Sequence, residues 1–528
     1  MKNPKVLLVY PPNQLMDIET PRPDGSLGPL YLAGALEDAG IEVDILDASV
    51  GTAEDRLEET FYNPVMQENN LIRIGMTEAR MSEVIAKGDY TVIGINSNFT
   101  PQTKMAFEVA RAAKAVSKDI LVVAGGVNAR ALAERFLASG VIDAVCLTEG
   151  ERIFLALLRA WEKSRSLAEV SGIARLQNGQ VVRQKVKPGD TCQNLDELPL
   201  PRWNKLPYGH YDLLGPRGVL AKKDKRSGST QTSRGCWASC EYCHISEEKA
   251  HAAETGNIGN LRFKSVERVI EEARQMYEFG IRQVYFEDDT LLARKARIYD
   301  IFTRIRSMGF EISDVNGVNL IHLFKNAGGG HLVVDREFLE MLKDAGFDRI
   351  VFPVESASQR IVDKYATGKL NHQKIDVVEL VRVATEVGVT CPINMMIGFP
   401  DETEAEIRES IEMGRRLVEA GSAFCVFFIP IPFPGSGLYR YAIEHGHLDS
   451  NFDTDVLNWK NCVMKNTEVP PERIVELRNE ASSYANRTEY IKARIETSAG
   501  VSWRKREAEI KAQMGPRWES GAPAVAVS

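Results

Sequence analysis

The sequence predicts an α/β protein built of two successive strand–helix alternations and a charged helical tail. Short apolar strands alternate with amphipathic helices over residues 1–165 and again from about residue 231. A proline-stiffened stretch, Leu198-Pro-Leu-Pro-Arg-Trp203, lies between the two runs. At 528 residues the chain exceeds one ordinary core and suits two or three domains. The expected boundaries are 1–165, a connector over 166–228, a second α/β unit over 229–440 and a helical region over 441–528.

In the first run, Lys5–Tyr10, Glu42–Leu46, Thr91–Ile95, Ile120–Ala124 and Ala144–Leu147 read as strands. Pro29 opens a helix that Gly40 ends. Thr100 reads as an N-cap with Pro101 as the first helical residue, and that helix buries Met105, Val109, Ala112, Ala113 and Val116. The last helix presents Ile153, Phe154, Leu157, Leu158 and Trp161. Such alternation means a parallel sheet covered on both faces, with ligands beyond the carboxyl strand ends. This is a doubly wound, Rossmann-like pattern.

Asn178-Gly179 in the connector is a hairpin signal. The second run places strands at 231–234, 281–287, 311–318, 348–355, 390–397 and 423–429. Its helix 265–279 carries Val266, Val269, Ile270, Ala273 and Tyr277 on one face, and the helix near 402–418 carries Ile407, Ile411, Leu417 and Val418. Six strand–helix units predict a partial barrel with its chemistry at the C-terminal strand ends. Gly328–Gly330 reads as a surface loop, and Gly521–Ser528 as a frayed end.

The net charge of −8 is spread along the chain with no long basic stretch, so nucleic-acid binding is not expected. No apolar run approaches the ~20 residues of a membrane span. The apolar start reads as a strand and lacks a small-residue cleavage site, so export is not expected. Of eight cysteines, Cys146, Cys391 and Cys425 sit in apolar segments as buried thiols, and a reducing cytoplasm is the expected compartment.

Three other cysteines carry the chemistry. Ser233-Arg-Gly-Cys-Trp-Ala-Ser-Cys-Glu-Tyr-Cys-His244 has the spacing C-x3-C-x2-C. Thiolates are the usual ligands of a [4Fe–4S] cluster. Cys236, Cys240 and Cys243 leave one of four irons open, able to chelate S-adenosylmethionine (SAM) and reduce its sulfonium to a 5′-deoxyadenosyl radical. Structural zinc is the competing reading. It needs four ligands, usually as two separated pairs, and His244 adjoins Cys243 too closely to complete one tetrahedral ion.

This loop resembles the radical SAM superfamily signature, including the aromatic Tyr242 before the third cysteine. The resemblance implies the partial (β/α)6 TIM-type barrel and places Tyr242 near the SAM adenine. It matches Glu355 and Ser356, in Val354-Glu-Ser-Ala-Ser-Gln359, to a carboxylate and hydroxyl beside the SAM ribose and amino acid. Ile397–Thr403 and Pro432–Gly437, with Pro434 and Gly435, resemble loops lining the cofactor. Read without the family, each is a proline–glycine turn. Glu287 and Asp288, in Phe286-Glu-Asp-Asp-Thr290, are candidates for binding substrate or the SAM ammonium, and one of them for a helix cap.

The first domain resembles the cobalamin-binding domain joined to many radical SAM enzymes of the class B methyltransferase kind. The matching segments carry Ser97, Asn98, Thr100, Gly125, Gly126, Asn128, Glu149 and Gly150. Many cobalamin proteins ligate cobalt through an Asp-x-His-x-x-Gly histidine. Here the comparable turn is Leu46-Asp-Ala-Ser-Val-Gly51, and residues 1–209 hold no histidine. The resemblance therefore implies cobalamin without a histidine ligand from this domain, with Asn98, Phe99 and Thr100 against its lower face.

The family mechanism implies C-methylation of an unactivated carbon in a small molecule. It uses two SAM per turnover and an external electron donor such as flavodoxin or ferredoxin. A cyclase or rearrangement enzyme with the same cofactors is the alternative, and a cobalamin-binding sensor is the rival from another class.

Overall fold

The structure, a computed structural model, describes residues 4–15, 23–69, 71–214, 225–458 and 460–490. The Gly521–Ser528 end lies outside the described residues.

The first sheet comprises β1 (Lys5–Tyr10), β2 (Glu42–Asp47), β3 (Val92–Asn96), β4 (Leu121–Gly125), β5 (Ala144–Cys146), β6 (Ile173–Gln177) and β7 (Gln180–Arg183). Their order is β7-β6-β5-β4-β3-β1-β2. Strands β1 to β5 are parallel, and β6 and β7 join the edge as an antiparallel hairpin. Asn178 and Gly179 take the left-handed φ of 52° and 77° that a two-residue hairpin turn requires. Strand β1 is apolar on both sides. Leu7 and Val9 pack with Val109 and Ala112, and Val6 and Leu8 with Phe154 and Leu157. The order reverses between β1 and β3, which opens a crevice at their carboxyl ends.

One helix starts differently from the sequence expectation. Thr100–Gln102 forms a 3-10 turn, and the α-helix runs Thr103–Val116. Its Lys104 N–H donates to the Asp455 carboxylate at 3.1 Å, so the cap comes from far along the chain. Val116 and Tyr277 are exposed rather than buried, because each lies in the last turn of its helix.

In the second unit β8 (Ser227–Thr230), β9 (Gln283–Phe286), β10 (Glu311–Asp314) and β11 (Phe347–Arg349) pair in parallel and in chain order. Strands β12 (Phe352–Glu355), β13 (Ile393–Met396) and β14 (Cys425–Phe428) form the matching second group. Strands β11 and β12 are halves of one broken strand, and Arg349 bridges in parallel to Thr390 at the break. This is the strand order of a partial (β/α)6 barrel. The first strand lies earlier than residues 231–234. Its sequence, Ser227-Gly-Ser-Thr230, gives no apolar signal and is buried by its neighbours.

Asn486 covers the free edge of β14, accepting from Cys425 N at 2.7 Å and donating to Cys425 O at 2.8 Å. Gly328–Gly330 closes a hairpin of Phe324–Asn326 with Leu332–Val334. Among the described residues no helix is long and apolar enough to cross a membrane.

Candidate active site

The turns after β1, β3, β4 and β5 converge on a cavity of about 350 Å³, and the start of the second unit forms its other wall. Asn98, Gly125, Gly126, Glu149 and Gly150 line it, while Ser97, Thr100 and Asn128 do not. Those three brace the turns. Asn128 Nδ2 donates to Ser97 Oγ at 2.9 Å and to Thr103 Oγ1 at 3.0 Å. Thr103 Oγ1 donates to Thr100 O at 2.9 Å. Gly126 has a φ of 101°, and a Cβ there would stand 2.5 Å from Asn98 Oδ1 and from Ser97 O. A Cβ on Gly150 would meet nothing within 4 Å. Gly125, Gly126 and Gly150 leave stretches of bare backbone between Asn98, Arg130 and Glu149, which fits close approach of a large macrocycle such as a corrin.

The second wall supplies Gln231, Arg234, His244, Glu248, Glu287 and Asp289. The histidine that reaches the cavity thus belongs to the cysteine loop's own segment. Burial, with Arg130 adding, pushes the His244 imidazole down to about 3.

The cysteine loop is held from several sides. Asp288, fully buried, accepts from Thr232 N at 2.9 Å, Thr232 Oγ1 at 2.8 Å and Ser233 Oγ at 2.6 Å. Ser233–Arg234 pairs with Arg262–Phe263, and Ser239–Cys240 with Ala366–Thr367. Gly235, at φ 82°, passes so close to Asn260 O that a Cβ would stand 2.4 Å from it. Thr290 Oγ1 donates to Cys236 Sγ at 3.1 Å. Burial pushes the Cys243 thiol up to about 12, with Cys240, Asp289 and Cys236 adding to it. Among the described residues no three His, Cys, Asp or Glu side chains stand close enough to cage a single ion. A cubane asks for something else, since each of its thiolates binds a different iron.

Of the two carboxylates singled out after β9, Glu287 lines the cavity and Asp288 does not. Asp288 is spent on the loop, and Asp289 takes the cavity position instead, its carboxyl pushed up to about 6 by burial and by Asp288. Cys236, Cys240, Cys243 and Tyr242, in the loop beside this cavity, do not line it, and Glu355, Ser356, Pro434 and Gly435 lie outside it at other barrel strand ends. Glu355 has a left-handed φ of 68°, a strained conformation for a carboxylate residue, and pairs with Lys369. The Tyr242 hydroxyl is buried near Cys240 and Glu355 with no well-formed hydrogen bond. Its ring tilts against Phe399 at 6.1 Å. Ser356 is fully buried against Ser410, 3.2 Å away. In the loop after β13, Glu402 accepts from Gly398 N at 2.6 Å and Phe399 N at 3.1 Å. A Cβ on Gly435 would stand 3.0 Å from Ala131 Cβ, so the loop after β14 touches the first domain.

Sequence reasoning missed Arg130, Arg234, Arg262 and Lys369. Arg234 stands two places before Cys236 in the quoted loop, but a lone arginine gives no signal until its distant partners are known. Those partners are Glu151 at 2.8 Å and Glu149 at 3.3 Å.

Comparison with known proteins agrees with this geometry. Residues 230–414 match the Radical SAM superfamily model and residues 25–158 the B12 binding domain model. A Pyrococcus horikoshii protein described as an uncharacterised methyltransferase is 30% identical over 493 residues, covering 91% of this chain and 92% of its own. The cytidylyl-2-hydroxyethylphosphonate methyltransferase of Streptomyces wedmorensis is 27% identical, covering 84% and 83%. The solved structure of the radical S-adenosylmethionine methyltransferase TsrM from Kitasatospora setae, with cobalamin and a [4Fe–4S] cluster, superposes with a TM-score of 0.61. It is 17% identical over 84% of this chain and 78% of that one, and so shares the fold.

Proposed function

This chain belongs to the cobalamin-binding radical SAM enzymes, and on that premise we propose that it methylates an unactivated carbon of a small-molecule substrate. The observation that carries this reading is the shared cavity. Glycine turns of the B12-binding domain face the barrel residues that flank the cysteine loop across it. When bound, the cluster would supply the electron that cleaves one SAM, and the corrin would relay the methyl group of a second.

The chain's own residues position, shield and hold. Cys236, Cys240 and Cys243 are the proposed cluster ligands, on a loop whose entry strand Asp288 fixes. Glu355 and Ser356 are proposed beside the SAM amino acid and ribose, with Tyr242 beside the adenine. Gly125, Gly126 and Gly150 are proposed as the bare-backbone part of the corrin floor. Positioning of this kind can supply ~7–11 kcal/mol of a barrier. Exposed Trp237, within the cysteine loop, leaves that loop open to an external donor such as flavodoxin or ferredoxin. Free thiols and an oxygen-sensitive cluster suit a reducing cytoplasm.

Anaerobically reconstituted protein with dithionite, SAM and candidate substrates tests the reading. The expected products are S-adenosylhomocysteine together with 5′-deoxyadenosine. Deoxyadenosine without S-adenosylhomocysteine, across substrates that react, would contradict methylation and favour the rearrangement alternative.

A further inference from the structure

The turn Thr148-Glu-Gly-Glu151 meets the cavity and the cysteine loop at once. Gly150 faces the cavity with open space where a Cβ would stand. The residues on either side turn toward the barrel. Glu151 accepts from Arg234 at 2.8 Å. Glu149 accepts from both Arg262 terminal nitrogens, at 2.6 Å and 3.0 Å, and lies 3.3 Å from Arg234. Thr148 Oγ1 donates to Thr255 O at 2.6 Å. The four charged side chains are between 7% and 15% exposed.

Arg234 and Arg262 are register partners on paired strands. Two guanidiniums side by side in a low-dielectric interior repel unless carboxylates stand between them. Both carboxylates come from the other domain. If the turn moves, two buried arginines lose their counter-charges, and the strand leading into Cys236 keeps its Asp288 anchor but loses the one at Arg234. Burial opposes the Glu149 charge, but Arg234 and Arg262 outweigh it and hold its carboxyl below the usual range.

We propose that this turn couples the two cofactor sites: a cobalamin seated on Gly150 fixes Glu149 and Glu151, which fix Arg234 and so the cysteine loop. Glu149, which lines the cavity, then acts also as a positioning residue for the cluster. The proposal rests on the two-cofactor reading above. Coupling between sites is reciprocal, so an assembled cluster must tighten cobalamin binding by the same factor.

Equilibrium dialysis of hydroxocobalamin against cluster-free and cluster-reconstituted protein tests this without turnover. Wild type should bind cobalamin about tenfold more tightly with the cluster present. In Glu149→Gln/Glu151→Gln the ratio should fall to about one, while Glu151→Asp, which keeps the charge, should retain most of it. The electron paramagnetic resonance (EPR) spectrum of the reduced cluster should respond to cobalamin in wild type and not in the double variant. A wild-type ratio of one overturns the proposal, and so does a full ratio in the double variant. If the double variant does not fold, Glu151→Gln alone decides, and an unchanged ratio there overturns the proposal. Coupling with no S-adenosylhomocysteine formed would sink methylation and leave the coupling standing. Wild type that binds no cobalamin sinks both.

Discussion

The two walls of the cavity are built by opposite means. The first-domain wall is centred on backbone: glycine turns at the ends of parallel strands, braced from behind by Ser97, Asn128 and Thr103. The second wall is side chain. Asp288 of the barrel, with Arg234 and Arg262 neutralised by the first domain's Glu149 and Glu151, holds a short loop that has little regular structure of its own. A flat, largely uncharged ligand needs the first kind of surface. An inorganic cluster on three thiolates needs the second, because its loop must be fixed before metal is present. The difference predicts that damage to either wall releases that wall's own ligand first, the other ligand weakening only by the coupling factor.

Breaking the thiolates should give the largest effect. Cys236→Ala, Cys240→Ala or Cys243→Ala should each reduce SAM cleavage to background, read as 5′-deoxyadenosine, while cobalamin still binds, weakened by no more than about tenfold. Full cleavage in any of them would remove that residue from the ligand set.

Gly126→Val attacks the other wall. Its φ of 101° and the 2.5 Å approach to Ser97 O leave no room for a side chain. The expected cost is about 2 kcal/mol of stability, with bound cobalamin lost well before iron. Iron loss equal to the cobalamin loss would mean that the walls are not separable.

Asp288→Ala is the mirror experiment. It strands Thr232 N, Thr232 Oγ1 and Ser233 Oγ without their acceptor, at about 1–3 kcal/mol, and should lower iron content before cobalamin content. Asp288→Asn, which keeps an acceptor, should cost less.

The smallest effect concerns pH. Burial pushes Glu402 up to about 8 from an ordinary 4.5. The folded state holds a proton that the unfolded state has lost across that window. Its contribution to stability is therefore complete below about 4.5 and is lost as pH rises through about 8. Glu402→Gln should flatten the fall of Tm between those values, and an unaltered slope would show that other groups carry it.

Local rules account for what the sequence made legible. The C-x3-C-x2-C spacing needs no partner to be read, and strand β1 shows its apolar run directly. Counting strand–helix units was enough to place the loop at a barrel rim. Distance along the chain hid the rest. Arg234 meets Glu151 across 83 residues, and Asp455 caps Lys104 across 351. The expectation that Thr100 caps its helix fails for that second reason. The adjacent Asp288 and Asp289 look equivalent in sequence, and only packing shows that one holds the loop and the other faces the cavity.

The central claim is that the cobalamin site and the cluster loop adjoin across one cavity. Pulsed EPR on protein carrying cob(II)alamin and the one-electron-reduced cluster measures this directly. The account predicts a dipolar interaction between the two spins in the same chain. Two magnetically isolated spins, each bound at full occupancy, would contradict it.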